Sequence, residues 1–327
     1  MTEQISSPRN AKDDGSLMAA PAQNKDLTLT PDLAGEGKVD NLPEPHVYRP
    51  STGSRIRAVV KHIVMIASAL LMIYPLLWML VSSLRPNDEI FRSPGLLLKS
   101  FEIENYASGW DALSHPFSHF LINSAIVVLG CIIGNLVSCS MAAYAFARLD
   151  FRFKKLMFAL MLMTIMLPIH VIIVPQYIMF SQIGWVNTFW PIIVPKLLAT
   201  DAFFIFLMVQ FIRGIPKDMD EAARIDGAGH ARTFLQVILP LMVPALATTA
   251  IFTFIWTWSD FFTSLIYLTS PEKYTVPVAL SAFIDSTGES NWGALFAMSI
   301  VTLVPVFIAF LIGQKFLIKG IATTGIK

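Results

Sequence analysis

The chain of 327 residues is short of charge: 14% of it is Asp, Glu, Lys or Arg, against 54% hydrophobic. Soluble domains carry roughly 25% charged residues. The deficit excludes an ordinary water-soluble globule and points to a membrane protein. A net charge of +1 leaves no basic face for nucleic acid. Cysteine is nearly absent. Cys131 and Cys139 stand eight apart in one apolar run, where a helix separates them by roughly 12 Å, too far for a disulfide, so they read as small packing residues. A nucleotide loop is also lacking. "GEGKV" around Lys38 has Asp32 where the Walker pattern needs Gly, and Val39 where it needs Ser or Thr. No cofactor is therefore expected on this chain. His115 and His119 have the spacing of a zinc pair, but Pro116 intervenes and no third ligand type clusters nearby, so no metal is expected. No nucleophile–base pair or carboxylate pair stands where a substrate could reach it, which excludes an enzyme active site.

Residues 1–50 form a separate class, with six prolines, one aromatic (Tyr48) and eight acidic residues against five basic. Such a composition buries too little apolar surface to offset chain entropy, and predicts a disordered tail. No apolar stretch follows a basic start, so this is not a cleaved signal peptide.

What the chain has in abundance is long apolar runs. A membrane helix needs about 20 apolar residues, and six segments qualify: about 59–81, 120–146, 156–180, 189–212, 237–268 and 294–317. The fifth is too long for one upright span and too short for two, so it must tilt or run past the surface. Lysine and arginine number three, four, four and three in 51–62, 148–155, 213–232 and 314–327. The alternate loops 82–119, 181–188 and 269–293 carry three, none and one. The positive-inside rule then places both termini and the 213–232 loop in the cytoplasm.

That loop is compact and polar: "IPKDMDEAARIDGAGHARTF". Pro216 suits a first helical turn, and Asp218 with Glu221 has capping-box spacing. Gly227 and Gly229 allow a sharp turn before a second helix that leads into span five. A short helix–turn–helix of this kind suits a rigid lever docked on another protein. An ordinary interfacial loop is the competing reading.

The order E-A-A-x-x-D-G-A, followed by "ILP", resembles the EAA loop of type I ABC importer permeases. Glu221, Ala222, Ala223, Asp226, Gly227, Ala228 and Pro240 match. "SSLRPNDEIF", "ENYASGW", "FTFIWTWSDFFTSLIYL", "YTVPVALSAF" and "GIATTGIK" resemble the carbohydrate, maltose-system (MalG-like) branch of the binding-protein-dependent transport inner-membrane component family. The resemblance covers roughly residues 55–327. It departs from the family in the long tail and in "WSD" at 258–260, where a side-chain amide is common.

The resemblance implies an all-α membrane protein with six transmembrane helices and the type I ABC importer permease fold. Its parts would be a cytoplasmic tail (1–50), the first transmembrane helix and external loop (51–119), a five-helix core with the coupling loop at 213–233 (120–318), and a cytoplasmic C-terminal tail (319–327). It implies a permease subunit, not an enzyme, in the bacterial inner membrane, importing a sugar or oligosaccharide. Partners would be membrane lipid, a second, unlike permease, an extracytoplasmic sugar-binding protein, and two copies of an ABC ATPase that hold ATP and Mg²⁺. A non-sugar solute (polyol, phosphate ester or amino acid) stays open. An ion-driven secondary transporter would need paired intramembrane carboxylates and an inverted repeat, neither of which is visible.

Ionisable residues inside spans each need a reason. Asp260, among Trp256 and Trp258, offers the aromatic faces and acceptor a sugar path would use; an interfacial aromatic belt with a paired carboxylate is the alternative. Lys196 and Asp201 form an ion pair or meet water in a cavity. His170, between Pro168 and Pro175, packs or lines a cavity, or relays protons. The charge asymmetry predicts that Asp13→Cys, Lys155→Cys and Lys327→Cys label only from the cytoplasm and Ser290→Cys only from outside. Labelling of residue 155 from outside intact cells contradicts the topology.

Overall fold

The structure, a computed structural model, describes residues 52–322 except 93–94 and 285–290. The expected disordered tail at 1–50 lies outside the described residues, as do 323–327. The chain divides into two units, 1–62 and 63–327. Within the first, the described residues open helix α1 (Thr52–Ser82).

The second unit continues α1 to Ser82, with side chains such as Leu71 and Met72 largely exposed, as expected of a surface whose solvent is lipid. Short helices α2 (Asn87–Ile90) and α3 (Glu104–Trp110) follow. They are tied by polar contacts: the fully buried Arg85 donates to the Leu97 carbonyl (2.8 Å), and Asn105 donates to the Arg85 carbonyl (2.8 Å). Then come α4 (Phe117–Arg148), α5 (Lys154–Thr164), α6 (Ile169–Gln182), α7 (Trp190–Leu197) and α8 (Ala202–Gly214). Next are α9 (Asp218–Ile225), α10 (His230–Thr233), a π turn (Phe234–Ile238), α11 (Leu239–Leu241), α12 (Val243–Trp258), α13 (Phe262–Tyr267), α14 (Val276–Ser281) and α15 (Trp292–Ala322). No strand occurs among the described residues.

Four segments are long and apolar enough to cross a bilayer: Ile56–Ser82, Phe117–Arg148, Trp190–Gly214 and Trp292–Lys315. Two predicted spans are broken instead. The third bends by 100° between α5 and α6, and the fifth by 74° at Met242. Over 237–268, expected to tilt or run past the surface, the chain bends instead: the helix after the bend ends at Trp258, and α13 is a separate piece. Pro168 immediately precedes α6, where the residue before a proline is pushed out of helical geometry. At the far end, α15 stays helical to Ala322.

Helix α4 is the hub, packing on α7, α8 and α12. Gly134 makes its approach to α7 possible, because a Cβ there would meet the Lys196 carbonyl carbon at 3.0 Å and the Leu197 nitrogen at 3.1 Å. Along α4, Asn123 donates to the Glu272 and Tyr274 carbonyls (2.9 and 3.0 Å), and His119 Nε2 donates to Glu272 O (2.7 Å). At its other end a buried cluster joins Cys139, Ala143 and Tyr144 to Phe204, Ile205, Met208, Val209 and Ile212 of α8, and to Phe234, Ile238 and Met242. Both cysteines are buried and free.

Candidate functional site

Two sites emerge, and the first is the polar loop. Ile215 is extended and ends α8; α9 then starts at Asp218 with Asp218, Asp220 and Glu221 in its first turn, where the helix dipole favours negative charge. The expected capping box does not form. Lys217 holds the cap position and no side chain caps it, since Asp218 already lies within the helix. The C-terminus closes as a Schellman turn: Ala228 N donates to Ala223 O (2.9 Å) and Gly227 N to Arg224 O (3.0 Å). That turn requires the left-handed φ of +76° found at Gly227. Gly229 is extended and needs no such freedom. The π turn that follows widens the helix just before Pro240, relieving the clash a proline makes with the carbonyl four residues back.

The two faces of α9 differ. Ala223 is buried, whereas Glu221, Ala222, Asp226 and Gly227 are exposed and Ala228 is half-buried. Ile225, unremarked in the sequence because an isoleucine beside alanines reads as core, is 87% exposed. Beside it lies a cleft of about 320 Å³ lined by Met219, Ala222, Ala223, Asp226, Ala228 and Arg232, among others. The buried face is anchored by a contact that sequence spacing does not reveal. Asp220 pairs with Arg148, Oδ2 to Nε at 2.9 Å, their side chains 12% and 7% exposed. Arg148 also donates to the Ile215 carbonyl (2.7 Å). Removing one partner of so buried a pair costs roughly 3–5 kcal/mol.

The second site is a cavity of about 520 Å³ where three helix breaks meet: 165–168, 198–201 and 259–261. Its wall includes Thr164, Gln176, Lys196, Thr200, Asp201, Trp256, Thr257, Asp260 and Tyr267. Broken backbone at membrane depth is tolerated where it lines a cavity or is packed in protein. Ala199, on this wall, adopts φ +55°, a conformation that costs a non-glycine residue about 1–2 kcal/mol. Lys196 Nζ contacts both Asp201 oxygens at 2.9 Å, and Asn135 donates to Asp201 (2.7 Å). The pair is closed, as the ion-pair reading expects, and both residues line the cavity. Among the described lining residues this leaves Asp260 as the one charge without an opposite neighbour. Asp260 Oδ1 accepts from the Thr263 amide (3.0 Å) at the start of α13.

Of the three residues suggested for a solute path, Trp256 and Asp260 line this cavity. Trp258 does not. It is buried, stacks on Phe254, and donates from Nε1 to the Thr302 carbonyl (3.2 Å). The two tryptophans are two residues apart, and a helix turns them to different sides. His170 is exposed and edge-on to Phe262.

Comparison with known proteins gives a consistent picture. Residues 127–322, more than half of the chain, match the family described as binding-protein-dependent transport system inner membrane component. The diacetylchitobiose uptake system permease protein NgcG of Streptomyces coelicolor is 33% identical over 81% of this chain and 87% of its own length. The trehalose/maltose transport system permease protein MalG of Thermococcus litoralis is 33% identical over 82% and 98%. In fold, the chain resembles a bacterial ABC transporter involved in the import of the acidic polysaccharide alginate, with a TM-score of 0.72 at 22% identity, covering 81% of this chain and 98% of that one.

The placement of the aromatic residues gives a direct expectation. Trp258→Ala removes a buried, hydrogen-bonded ring, costs about 3–5 kcal/mol, and lowers the protein's level in membranes severalfold. Asp260→Asn keeps the acceptor for the Thr263 amide and leaves the level near wild type. Quantitative immunoblots of membranes read both; equal levels of the two variants contradict the assignment.

Proposed function

The chain belongs to the family of binding-protein-dependent transport system inner membrane components, and on that premise we propose that it imports a sugar or oligosaccharide and couples to its ATPase through Glu221–Ala228. Membership makes it a multi-pass inner-membrane ABC permease subunit, working with a separate ATPase and a substrate-binding protein. ATP and Mg²⁺ belong to the ATPase. A second, unlike permease forms the other half of the pore, and two copies of the ATPase dock from the cytoplasm.

The observation that carries this reading is the two-faced helix α9. One face is locked into the protein by Asp220 and Ala223, while Glu221, Ala222, Ile225 and Asp226 stand clear beside a cleft. A charged rim around a small-residue surface and an apolar knob suits docking into a groove. ATP-driven closure of the ATPase dimer moves this lever and switches the spans between inward- and outward-facing states. Loaded binding protein and ATP must each favour one state, or neither shifts the balance.

Solute selection draws on the cavity. Trp256 offers an aromatic face, and Gln176, Thr257 and Asp260 offer hydrogen-bonding groups, the combination a neutral sugar requires. Similarity to permeases named for diacetylchitobiose and for trehalose and maltose supports a saccharide.

Glu221→Lys reverses a charge on the docking face, and Gly227→Val forces a β-branched residue into left-handed geometry. Both variants should insert normally yet transport at least tenfold less, the change expected when about 1.4 kcal/mol or more of docking energy is lost. Co-purified ATPase should fall, or hydrolysis should stop responding to loaded binding protein. Normal uptake and normal stimulation in both would reduce the loop to a connector.

A further inference from the structure

We propose that the Arg148–Asp220 pair is a permanent joint that makes α4 the span driven directly by the lever. The inference rests on the reading of α9 as the ATPase contact and goes beyond it, naming the two residues that carry the motion onward. Neither belongs to the exposed docking face.

One guanidinium joins three elements. Arg148 is the last residue of α4, its Nε lies 2.9 Å from Asp220 of α9, and another of its nitrogens donates to Ile215, where α8 ends (2.7 Å). One hydrogen bond from the fork fixes the guanidinium on Ile215, and its charge holds Asp220 at close range. One turn earlier on α4, the Tyr144 ring lies 5.1 Å from Phe234 of the π turn. The same buried cluster takes in Met208 and Ile212 of α8 and Ile238. Interiors packed this closely transmit displacement rather than absorb it.

Beyond this block, two of the neighbouring spans are interrupted, by 100° between α5 and α6 and by 74° at Met242 before α12. Such breaks are where an angle can change. α4 is unbroken over 32 residues from its far end to Arg148, so a push on α9 reaches α4 undivided, while α6 and α12 follow through hinges. Because the pair is nearly sealed from water, opening it in every cycle would strand two buried charges. The joint therefore stays shut throughout.

The test uses the full complex with Mg-ATP and orthovanadate as the probe. Environment-sensitive fluorophores are placed separately at Lys217→Cys, exposed at the start of the lever, and Ile122→Cys on the exposed face of α4, Cys131 and Cys139 being buried. Nucleotide trapping should shift both signals in the otherwise native chain. In Asp220→Asn the residue-217 signal should still shift, while the Ile122 shift falls about fivefold or more. Asp220→Glu, which keeps the charge, should restore it. A chain with Arg148→Cys and Asp220→Cys, bridged by a short bis-thiosulfonate, should also retain the Ile122 shift, and this arm covers an Asp220→Asn chain that fails to assemble. An unchanged Ile122 shift in Asp220→Asn, or its loss in the bridged chain, overturns the proposal. Absence of any residue-217 response in the native chain would fault the underlying docking assignment instead.

Discussion

In a hydrocarbon layer every backbone N–H and C=O must find its partner within the protein, and the three interruptions that border the cavity are where this chain meets part of that demand by side chains and tight turns. At 198–201, the Ser138 hydroxyl donates to the Lys196 carbonyl (2.6 Å) and Thr200 to Pro195 O (2.8 Å). At 165–168, successive amides bond three residues back: Ile165 to Leu162, Met166 to Met163, Leu167 to Thr164. At 259–261, Asp260 accepts from Thr263. Several backbone groups are thus satisfied where the helices are cut. The cuts converge on a cavity with Lys196, Asp201 and Asp260 on its wall, so the feature that threatens stability in lipid also creates the space a hydrophilic solute would need.

The lever end obeys the opposite rule. There the chain is close-packed: α4, α8 and the π turn share one buried cluster, and the Arg148–Asp220 ion pair ties α9 to α4. A close-packed block at one end and broken helices around a cavity is the arrangement the proposed coupling requires. Gly227, at φ +76°, belongs to the rigid part: its conformation closes a turn rather than permitting motion.

Much of this was legible in the residues. Long apolar runs located the spans, and the small-residue and acidic pattern around Glu221 located a short helix–turn–helix, because both depend on local composition. The breaks at Pro168 and Met242 were only half legible: prolines permit kinks, but whether neighbours support a straight or a bent helix depends on packing. Trp256 and Trp258 looked equivalent in sequence because helix rotation relative to a cavity is a tertiary property. The Arg148–Asp220 joint was invisible for a similar reason. Arg148 entered only as one of the topogenic cations of 148–155 and Asp220 carried no signal of its own, and only the fold brings them together. Ile225 carried a misleading signal, since an apolar residue is expected inside unless a partner covers it.

On the proposed function, the exposed face of α9 meets the ATPase. Lys217, exposed at the start of that helix, is a native reporter for it. Amine cross-linking of the wild-type complex in membranes, followed by mass spectrometry of the joined peptides, should link Lys217 to the ATPase, and saturating Mg-ATP should change the yield of that link. Links from residue 217 confined to this chain, with the ATPase joined only elsewhere, would contradict the account.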